Sequence, residues 1–328
     1  MSGLATSPLD ILLFLRTYAD DGQACVLVTL TGIEGSSPRA LGAQMAVAAN
    51  GDFAGSFSGG CIEAAVVAEA LEALGSGTAR LVRFGAGSPY LDIRLPCGGG
   101  IDLLFTPQPD PIAIAQSIAL LDERRPAALA LSGARVRARE ADRPTGWQGD
   151  DFIVAYTPRL RIIAIGQGEE LTATAQLAHA FGAETLVFSP YERDVRALNA
   201  RGIAADILAF RTARPELRSD PWTAFVFLFH DRDWEEALIP WALDLPKFYI
   251  GALGSKHSHV ARQAMLKTAG VPSDHLQSLR SPVGLVPSTR DPAALAASIL
   301  AEIVQEFAAD AGLALIPADT MPELRTTC

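Results

Sequence analysis

The arrangement of apolar and polar residues changes near the middle of the chain. From about residue 160 onward, short continuous apolar runs alternate with amphipathic stretches of helical period. Apolar strands separated by amphipathic helices indicate a parallel sheet covered on both faces. The second half is therefore predicted to form a Rossmann-like, doubly wound domain. Its strands are predicted at 161–166, 184–189, 224–230 and 248–253, and its helices at about 169–181, 191–200, 233–243, 257–268 and 292–308.

The first half mixes alternating and helical patterns and predicts a mixed α/β domain. Ser7 suits the N-cap of a first helix, with Pro8 and Asp10 at positions that favour its start. Asn50-Gly51 is typical of a hairpin turn, and Gly75 is the predicted end of the second helix. The remaining predicted elements are strands at about 25–32, 44–49, 52–58, 79–84, 101–106 and 126–131 and helices at about 61–74 and 111–124.

A polar, charged segment separates the two patterns. It runs from Arg135 to Asp151 and is interrupted by Pro144 and by glycines. We interpret it as the edge of the first domain and a linker; an edge hairpin is the alternative. The predicted domains are 1–150 and 151–312, followed by a tail at 313–328.

Composition and charge narrow the class of protein. A chain of 328 residues is long enough for two domains, and its hydrophobic content of 49% is typical of a globular protein. The net charge of −10 argues against nonspecific binding to nucleic acid. No apolar run suggests a membrane span, and the N-terminus does not resemble a signal peptide. Four cysteines then predict reduced thiols and a cytoplasmic location.

Cys61 and Cys97 are the candidate reactive residues of the first domain. Both lie in glycine-rich turns, where glycines let backbone or a ligand approach the sulfur. A helix N-terminus near Cys61 would also favour the thiolate. The alternative is that both are buried structural thiols, as cysteines usually are. Their separation and the lack of a second ligand nearby argue against a zinc site.

The nucleotide-binding signal in the second domain is weak. Gly166-Gln167-Gly168 matches the start of a dinucleotide fingerprint, but Leu171 replaces its third glycine. Glu169 and Glu170 would place like charge where a pyrophosphate binds. Binding of NAD is therefore disfavoured, although a nicotinamide-dependent oxidoreductase remains the alternative function.

Two later strand ends and one early turn offer groups for an anionic ligand. His230-Asp231 follows an apolar strand, at the end where such sheets bind ligands, although Asp231 could simply cap the next helix. A second strand leads into Gly254-Ser255-Lys256, which suits an anion site or an ordinary turn. Arg39, in a small-residue turn, could clamp an anion or tie down its own loop.

Several segments, taken in order, resemble the XdhC/CoxI family, accessory proteins for xanthine dehydrogenase and related molybdenum hydroxylases. The matching segments are Gly35-Ser-Ser-Pro-Arg39, Gly55-Ser-Phe-Ser-Gly-Gly-Cys61-Ile-Glu63, Cys97-Gly-Gly, Phe229-His-Asp231, Tyr249-Ile-Gly-Ala-Leu-Gly-Ser255, Ser281-Pro-Val-Gly-Leu285 and Ser298-Ile-Leu-Ala-Glu-Ile303. The glycine turn at 166–168 departs from the family's usual sequence. A ligand role for that turn, and the identity of the client, are left open.

The resemblance implies a cytoplasmic chaperone that binds molybdenum cofactor (molybdopterin) in its mono- or dinucleotide form. Such a protein protects the cofactor, supports its sulfuration by a cysteine desulfurase and inserts it into a xanthine dehydrogenase-type hydroxylase. The resemblance also implies a homodimer and a maturation chaperone rather than an enzyme, with a possible sulfur-transfer role for Cys61 or Cys97. A scaffold with inert cysteines is a further alternative.

The resemblance and the local chemistry together define a set of candidate cofactor-binding residues. Cys61 and Cys97 are the candidates for molybdenum ligation or sulfur transfer, and which of them acts is left open. The phosphate of the cofactor is expected at Ser255-Lys256 or near Arg39. The full set is Arg39, Ser58, Gly59, Gly60, Cys61, Glu63, Cys97, Gly98, His230, Asp231, Gly254, Ser255 and Lys256.

Overall fold

The computed structural model of this chain describes residues 7–60, 62–88, 98–133, 135–141, 144–287 and 289–310. The chain divides into two compact units, Met1–Pro158 and Arg159–Cys328. This division falls a few residues after the boundary expected from the sequence, because the strand Asp151–Tyr156 pairs with strands of the first unit. Cys61, Cys97 and the predicted tail lie outside the described residues.

The first unit consists of helices and antiparallel strands. Its helices are α1 Pro8–Asp20, α2 Glu63–Ser76 and α3 Pro111–Asp122. Its strands are β1 Cys25–Glu34, β2 Gln44–Ala48, β3 Phe53–Ala54, β4 Arg80–Gly85, β5 Gly100–Pro107, β6 Ala127–Ser132, β7 Arg135–Glu140, β8 Gly146–Gln148 and β9 Asp151–Tyr156.

These strands form two sheets that share one core. The first has the order β3-β2-β1-β5-β4 and the second β7-β6-β9-β8. Strand β1 is buried on both faces: Leu27 packs in a cluster with α1, α3 and the four-stranded sheet, and Val28 packs in a second cluster with α2. A two-sided apolar environment explains why β1 is a continuous apolar run rather than an alternating one.

The segment interpreted as a linker is instead part of the four-stranded sheet. β7 and β8 are its two edge strands, each paired to a central strand, so the linker interpretation is wrong. The alternative, an edge hairpin, is confirmed in part, because β8 forms a hairpin with β9 in which Gln148 pairs with Asp151. The alternation Arg-Val-Arg-Ala-Arg buries Val136 and exposes Arg135 and Arg137, which is the period of a half-buried strand. Its high charge concealed that period.

Two other local predictions also differ from the structure. The predicted strand at 52–58 is reduced to β3, because the backbone beyond it is hydrogen-bonded to Glu63. Helix α2 continues past Gly75 and ends where Gly77 adopts a left-handed φ of 64°. Glycine adopts this conformation without the steric cost that a side chain imposes.

The second unit confirms the predicted Rossmann-like, doubly wound fold. Its strands are β10 Arg161–Gly166, β11 Glu184–Ser189, β12 Ala204–Ile207, β13 Thr223–Leu228, β14 Tyr249–Ala252 and β15 Leu279–Arg280. All pairings are parallel, in the order β12-β11-β10-β13-β14-β15. This is the 3-2-1-4-5-6 order of dinucleotide-binding folds. The sequence pattern missed the short strands β12 and β15.

Helices cover both faces of this parallel sheet. They are α4 Gly168–Phe181, α5 Glu192–Asn199, α6 Glu235–Leu243, α7 Lys256–Thr268, α8 Ser273–Ser278 and α9 Pro292–Asp310, with a 3-10 helix at Arg232–Trp234 before α6. One core cluster includes residues of α4 and α9, and the other residues of α6, α7 and α8. α9 is long and apolar enough to cross a membrane by length and composition, but core helices share these properties. Here its Ile299 and Ile303 are fully buried in the core of the unit.

Candidate functional site

Glu63 organises the glycine-rich loop at residues 55–62, which is called the glycine loop below. Its Oε1 accepts hydrogen bonds from the backbone N–H of Phe57 at 3.0 Å and of Ser58 at 2.8 Å. The Ser56 hydroxyl donates to the same oxygen at 2.7 Å. One carboxylate oxygen therefore holds the first part of the loop.

The second carboxylate oxygen of Glu63 holds the end of the same loop. Oε2 accepts from the Ser58 hydroxyl at 2.9 Å and from the backbone N–H groups of Gly60 at 2.7 Å and Ile62 at 3.2 Å. Glu63 is the first residue of α2, where negative charge is favourable. Because both oxygens are engaged within the protein, we interpret Glu63 as a residue that shapes the loop. Direct contact of Glu63 with a cofactor stays a prediction.

Two opposing effects act on the pKa of Glu63. Burial of this side chain raises the pKa, whereas hydrogen bonds from Ser58 and Ser56 stabilise the carboxylate and lower it. The hydrogen bonds prevail, and the pKa falls to about 2. The loop is therefore assembled around a charged carboxylate.

Arg39 connects a second segment to the glycine loop. Its Nε donates to the carbonyl oxygen of Ser56 at 2.9 Å, and its backbone N–H donates to the Ser37 hydroxyl at 3.2 Å. The sequence left open whether Arg39 clamps an anion or ties down a loop. The structure shows the second role, and because Arg39 is exposed, the guanidinium is also accessible to a ligand.

The turn that contains Arg39 also meets the glycines that follow position 97. Gly99 packs so closely on this turn that a Cβ there would lie 2.7 Å from the carbonyl oxygen of Glu34 and 2.6 Å from that of Ser36. Glycine is therefore required at this contact. The structure thus brings together the turn at 34–39, the glycine loop and Gly98–Gly99 on one side of the first unit, with Ser58 half-buried and Gly59, Gly60 and Gly98 exposed.

Arg83 supports this group of turns from β4. Its guanidinium pairs with Glu34, lies 3.3 Å from Oδ1 of Asp102, and donates from Nε to the Ala86 carbonyl at 2.7 Å. Partly exposed ion pairs of this kind contribute only about 0–1 kcal/mol each. Their role is to orient the turn, and the sequence alone did not identify Arg83 or Asp102.

In the second unit, the glycine turn after β10 is closed by a carboxylate of the protein itself. Oδ2 of Asp194 accepts the backbone N–H of Gly168 at 2.8 Å and the Ser189 hydroxyl at 3.2 Å. Asp194 is only 2% exposed. In a dinucleotide-binding turn, backbone N–H groups at this position face the pyrophosphate. Together with Glu169 and Glu170, Asp194 makes the turn unfavourable for phosphate.

His230 and Asp231 have separate environments at the adjoining strand end. The imidazole Nε2 of His230 lies 3.4 Å from Oε1 of Glu170, and His230 is exposed. Asp231 caps the 3-10 helix by accepting the N–H of Asp233 at 3.0 Å and pairs with Arg211 at 3.1 Å. The capping alternative thus applies to Asp231, whereas His230 remains accessible to a ligand.

The turn at 254–256 starts α7. The Ser255 side chain caps this helix by accepting the N–H of Ser258 at 3.1 Å. Gly254 has a φ of 149°, which favours glycine, and its missing Cβ leaves room for Ser258. Lys256 is exposed beside the cap. The Ser255 hydroxyl thus has a structural role, and anion binding by this turn stays a prediction.

A buried ion pair supports this turn from below. Arg262 is 1% exposed and Glu235 is completely buried. Their bidentate contact joins Nε to Oε2 at 2.7 Å and Nη2 to Oε1 at 2.8 Å. Arg262 also donates to the Leu253 carbonyl at 2.7 Å and to the Ser281 hydroxyl at 2.6 Å. One guanidinium thereby ties together three segments that the sequence treated separately.

The described residues contain no group of three or more His, Cys, Asp or Glu side chains arranged to hold a metal ion. Cys61 and Cys97, the predicted molybdenum ligands, lie outside those residues. Cys25 is a buried free thiol in β1, and its burial raises its pKa to about 11. It is therefore a protonated core thiol and not a candidate for the reactive site.

Fold and site together define a two-unit α/β protein in which a Rossmann unit follows an antiparallel unit with a carboxylate-centred glycine loop. The chain belongs to the XdhC and CoxI family, as its resemblance to that family predicted. The model of the XdhC and CoxI family matches residues 18–85, and the model of the XdhC Rossmann domain matches residues 162–303.

Two curated relatives come from Escherichia coli K12. The molybdenum cofactor insertion chaperone PaoD is 35% identical over 295 residues, which cover 89% of this chain and 86% of PaoD. The uncharacterized protein YqeB is 25% identical over 309 residues, which cover 89% of this chain and 46% of YqeB.

A solved structure has the same fold. It is described as a xanthine dehydrogenase from Bacillus halodurans and superposes with a TM-score of 0.73 at 23% identity. The match covers 91% of this chain and 96% of the other.

Proposed function

We propose that this protein is a molybdenum cofactor insertion chaperone. The observation that carries the proposal is the 35% identity between this chain and PaoD across most of both chains. Cofactor insertion is the function that PaoD's name states. Membership of the XdhC and CoxI family supports the same role. The cofactor is the cargo of such a protein, in its mono- or dinucleotide form, and the proposed role is that of a maturation chaperone rather than an enzyme.

The first unit offers the groups that suit the metal end of this cargo. Cys61 lies between Gly60 and Ile62 in the chain, and the N–H groups of both neighbours bind the Glu63 carboxylate. Thiolate is a soft ligand that suits a molybdenum–sulfur centre. Cys61 and Cys97 are proposed to contact the molybdenum or to pass sulfur to it. Gly59, Gly60 and Gly98 are exposed and have no side chain, so a ligand can approach these turns closely, but the N–H groups of Gly59 and Gly60 already donate to Ser56 and Glu63.

The anionic end of the cargo needs local cations, because the whole chain has a net charge of −10. Arg39 is exposed beside the glycine loop in the first unit, and Lys256 is exposed at the start of α7 in the second. These residues are proposed as the two alternative partners of the pterin phosphate. His230 and Gly254 complete the accessible groups of the proposed site in the second unit.

The proposed partners follow from this role. The client is a molybdenum hydroxylase of the xanthine dehydrogenase type, and a cysteine desulfurase supplies sulfur while the chaperone protects the cofactor. We propose that the protein acts as a homodimer and that it is located in the cytoplasm. Nucleic acid and membrane are not among its proposed partners.

Anaerobic isolation from a cell that makes the cofactor tests the proposal. We expect molybdenum and pterin to copurify with the protein at a similar molar ratio, and the loaded protein to activate a cofactor-free client. Cys61→Ala/Cys97→Ala is expected to lose cofactor or activation, whereas Cys25→Ala, at a buried thiol, is the matched control. Full retention and full activation by the double variant would refute the cysteine roles. Absence of molybdenum and pterin from the wild-type protein would refute the function.

The 3-2-1-4-5-6 strand order is the observation that favours the second candidate function, a nicotinamide-dependent oxidoreductase. Titration of the purified protein with NAD(H) and NADP(H) separates the two functions. Tight binding would support the oxidoreductase, but the carboxylate of Asp194 at the glycine turn argues against it.

A further inference from the structure

The connection between β12 and β13 is long and irregular. β12 ends at Ile207 and β13 begins at Thr223, and residues 208–222, all of which the structure describes, form neither helix nor strand. Irregular connections of more than about 12 residues are uncommon in compact domains, and the ordered ones are usually functional. The first part of this connection, residues 208–217, is called the strap below.

The contacts of Arg211 show where the strap runs. Nη2 of Arg211 lies 3.1 Å from Oδ2 of Asp231, and Nη1 pairs with Asp233. Both aspartates follow β13, whereas Arg211 follows β12, and the sheet order places β11 and β10 between those two strands. Because neighbouring strands are about 4.8 Å apart, the strap and the Arg211 side chain together span about 14 Å. The strap therefore passes the carboxyl ends of β11 and β10.

Open α/β sheets bind their ligands at this position. The strand order reverses between β10 and β13, and ligands of such sheets occupy the crevice outside the carboxyl ends of the strands at the point of reversal. Leu208 belongs to the same core cluster as Ile165, which lies near the end of β10, and Ala213 packs against that cluster. The strap thus lies beside the crevice between β10 and β13.

The strap buries few of its own side chains. Leu208, which is 2% exposed, is the one buried residue of the strap, all of which is described. Ala213, Pro215 and Leu217 are half-buried, and Phe210 is 61% exposed. Segments with few buried apolar contacts open at a lower free energy than core strands do. The strap is therefore expected to open more readily than the sheet beside it.

We propose that the strap is a releasable cover over the crevice between β10 and β13, and that the pairing of Arg211 with Asp231 and Asp233 keeps it closed. An exposed ion pair is weak, and the Arg211 side chain is 54% exposed, so the strap can open without unfolding of the unit. A ligand that enters this crevice then binds only after the strap is released. The inference concerns the cofactor-free protein and does not depend on the proposed cofactor role.

Hydrogen exchange of the cofactor-free full chain, measured by mass spectrometry, tests the role of Arg211. Arg211→Gln should speed exchange in the strap about threefold to tenfold, because two weak ion pairs are removed together. Exchange in α4 and α9, which pack in the core of the same unit, should stay unchanged. Arg211→Lys keeps the charge and should exchange more slowly in the strap than Arg211→Gln does.

Arg196→Gln is the matched control for the change in net charge. Arg196 is an exposed cation that pairs with Glu192 within α5, so its replacement should leave exchange in the strap within about twofold of wild type. Salt provides a second readout, because it screens exposed ion pairs. Raising NaCl from about 0.05 M to about 0.5 M should speed exchange of the strap in the wild type but not in Arg211→Gln.

The glycine turn at 166–168 reports whether the strap covers the crevice. This turn follows β10, and the N–H of Gln167 donates to the Leu228 carbonyl at 3.2 Å, at the crevice itself. If the strap covers the crevice, Arg211→Gln should also speed exchange at this turn, by about twofold or more. The same increase is not expected in Arg196→Gln.

Three results would overturn the proposal. They are unchanged exchange in the strap of Arg211→Gln, an equal increase in the Arg196→Gln control, and faster exchange in the strap with no change at the glycine turn. The last result would show that the strap opens without exposing the crevice.

Discussion

Arg262 and Glu235 form a fully buried, bidentate ion pair within the second unit. The same guanidinium binds the carbonyl before the 254–256 turn and the hydroxyl of Ser281. A guanidinium with four such contacts is rigid because moving it would leave charge without a partner in the core. The pair therefore sets the positions of the segments around the start of α7.

Removing one partner of this pair should be costly. We expect Arg262→Met or Glu235→Met to lower the free energy of unfolding by about 3–5 kcal/mol, because each leaves an uncompensated buried charge. The double variant should lose less than the sum of the two single variants. Urea unfolding of all four proteins gives this coupling, and simple additivity would show that the two side chains act independently.

Glu63→Gln should weaken the glycine loop without removing the side chain's volume. A hydrogen bond to a charged group is worth about 1.5–3 kcal/mol, so we expect a loss of at least about 2 kcal/mol in unfolding free energy at neutral pH. Glu72→Gln, at an exposed position on the same helix, is the control and should change stability little. A comparable loss in both variants would contradict the special role of Glu63.

The pH dependence of this difference follows from the pKa of Glu63. The carboxyl group has a folded pKa of about 2, well below its value in an unfolded chain. Its ionisation therefore stabilises the fold fully above about pH 4.5, and this contribution is lost as the pH falls towards 2. The stability gap between wild type and Glu63→Gln should narrow over that range. A gap that stays constant from pH 6 to pH 3 would show that charge is not the cause.

Asp194 should determine whether the glycine turn of the second unit accepts phosphate. We expect no saturable binding of ADP-ribose to the wild type by calorimetry. Neutralising the turn in Asp194→Asn/Glu169→Gln should raise the affinity about tenfold or more, because like charge next to the pyrophosphate position is removed. Asp206→Asn/Glu192→Gln, at exposed positions, is the matched control. Binding of ADP-ribose to the wild type as strong as to the variant would contradict the role of Asp194.

Cys25 should be unreactive while the protein is folded. Burial raises its pKa to about 11, so at pH 8 it is a protonated, inaccessible thiol. In a Cys61→Ala/Cys97→Ala/Cys328→Ala variant, iodoacetamide should modify Cys25 only at the urea concentrations that unfold the first unit. Rapid modification in native buffer would show that β1 opens locally. The measurement is intact mass against time.

Gly99→Ala should disturb the turn at 34–39. The added Cβ would lie 2.6 Å from the Ser36 carbonyl oxygen, and backbone atoms cannot move aside as a flexible side chain can. We expect a loss of about 1–3 kcal/mol in unfolding free energy. Gly75→Ala, inside α2 with open space around it, should instead be neutral or stabilising by up to about 1 kcal/mol. Urea unfolding compares the two, and equal effects would exclude the steric explanation.

The sequence predicted the second unit well because its signals are local. Fully buried parallel strands are continuous apolar runs, and the predicted runs at 161–166 and 184–189 match β10 and β11. The strand β7 was missed because it has three arginines in six residues, a charge density that is typical of a linker. Only the structure shows that Val136, between two of these arginines, is buried. The short β12 and β15 contain too few residues for any period to be recognised.

By itself, the sequence determined the Rossmann-like class, the presence of glycine-embedded cysteines and the family to which the chain belongs. These properties depend on residue types at short or fixed spacing, which a linear pattern preserves. Only the tertiary structure showed that Glu63 holds the glycine loop, that Asp194 closes the glycine turn, and that Arg262 joins three distant segments. The physical reason is that a charged side chain can be buried wherever folding supplies its hydrogen-bond partners, and those partners come from parts of the chain whose proximity no local pattern records.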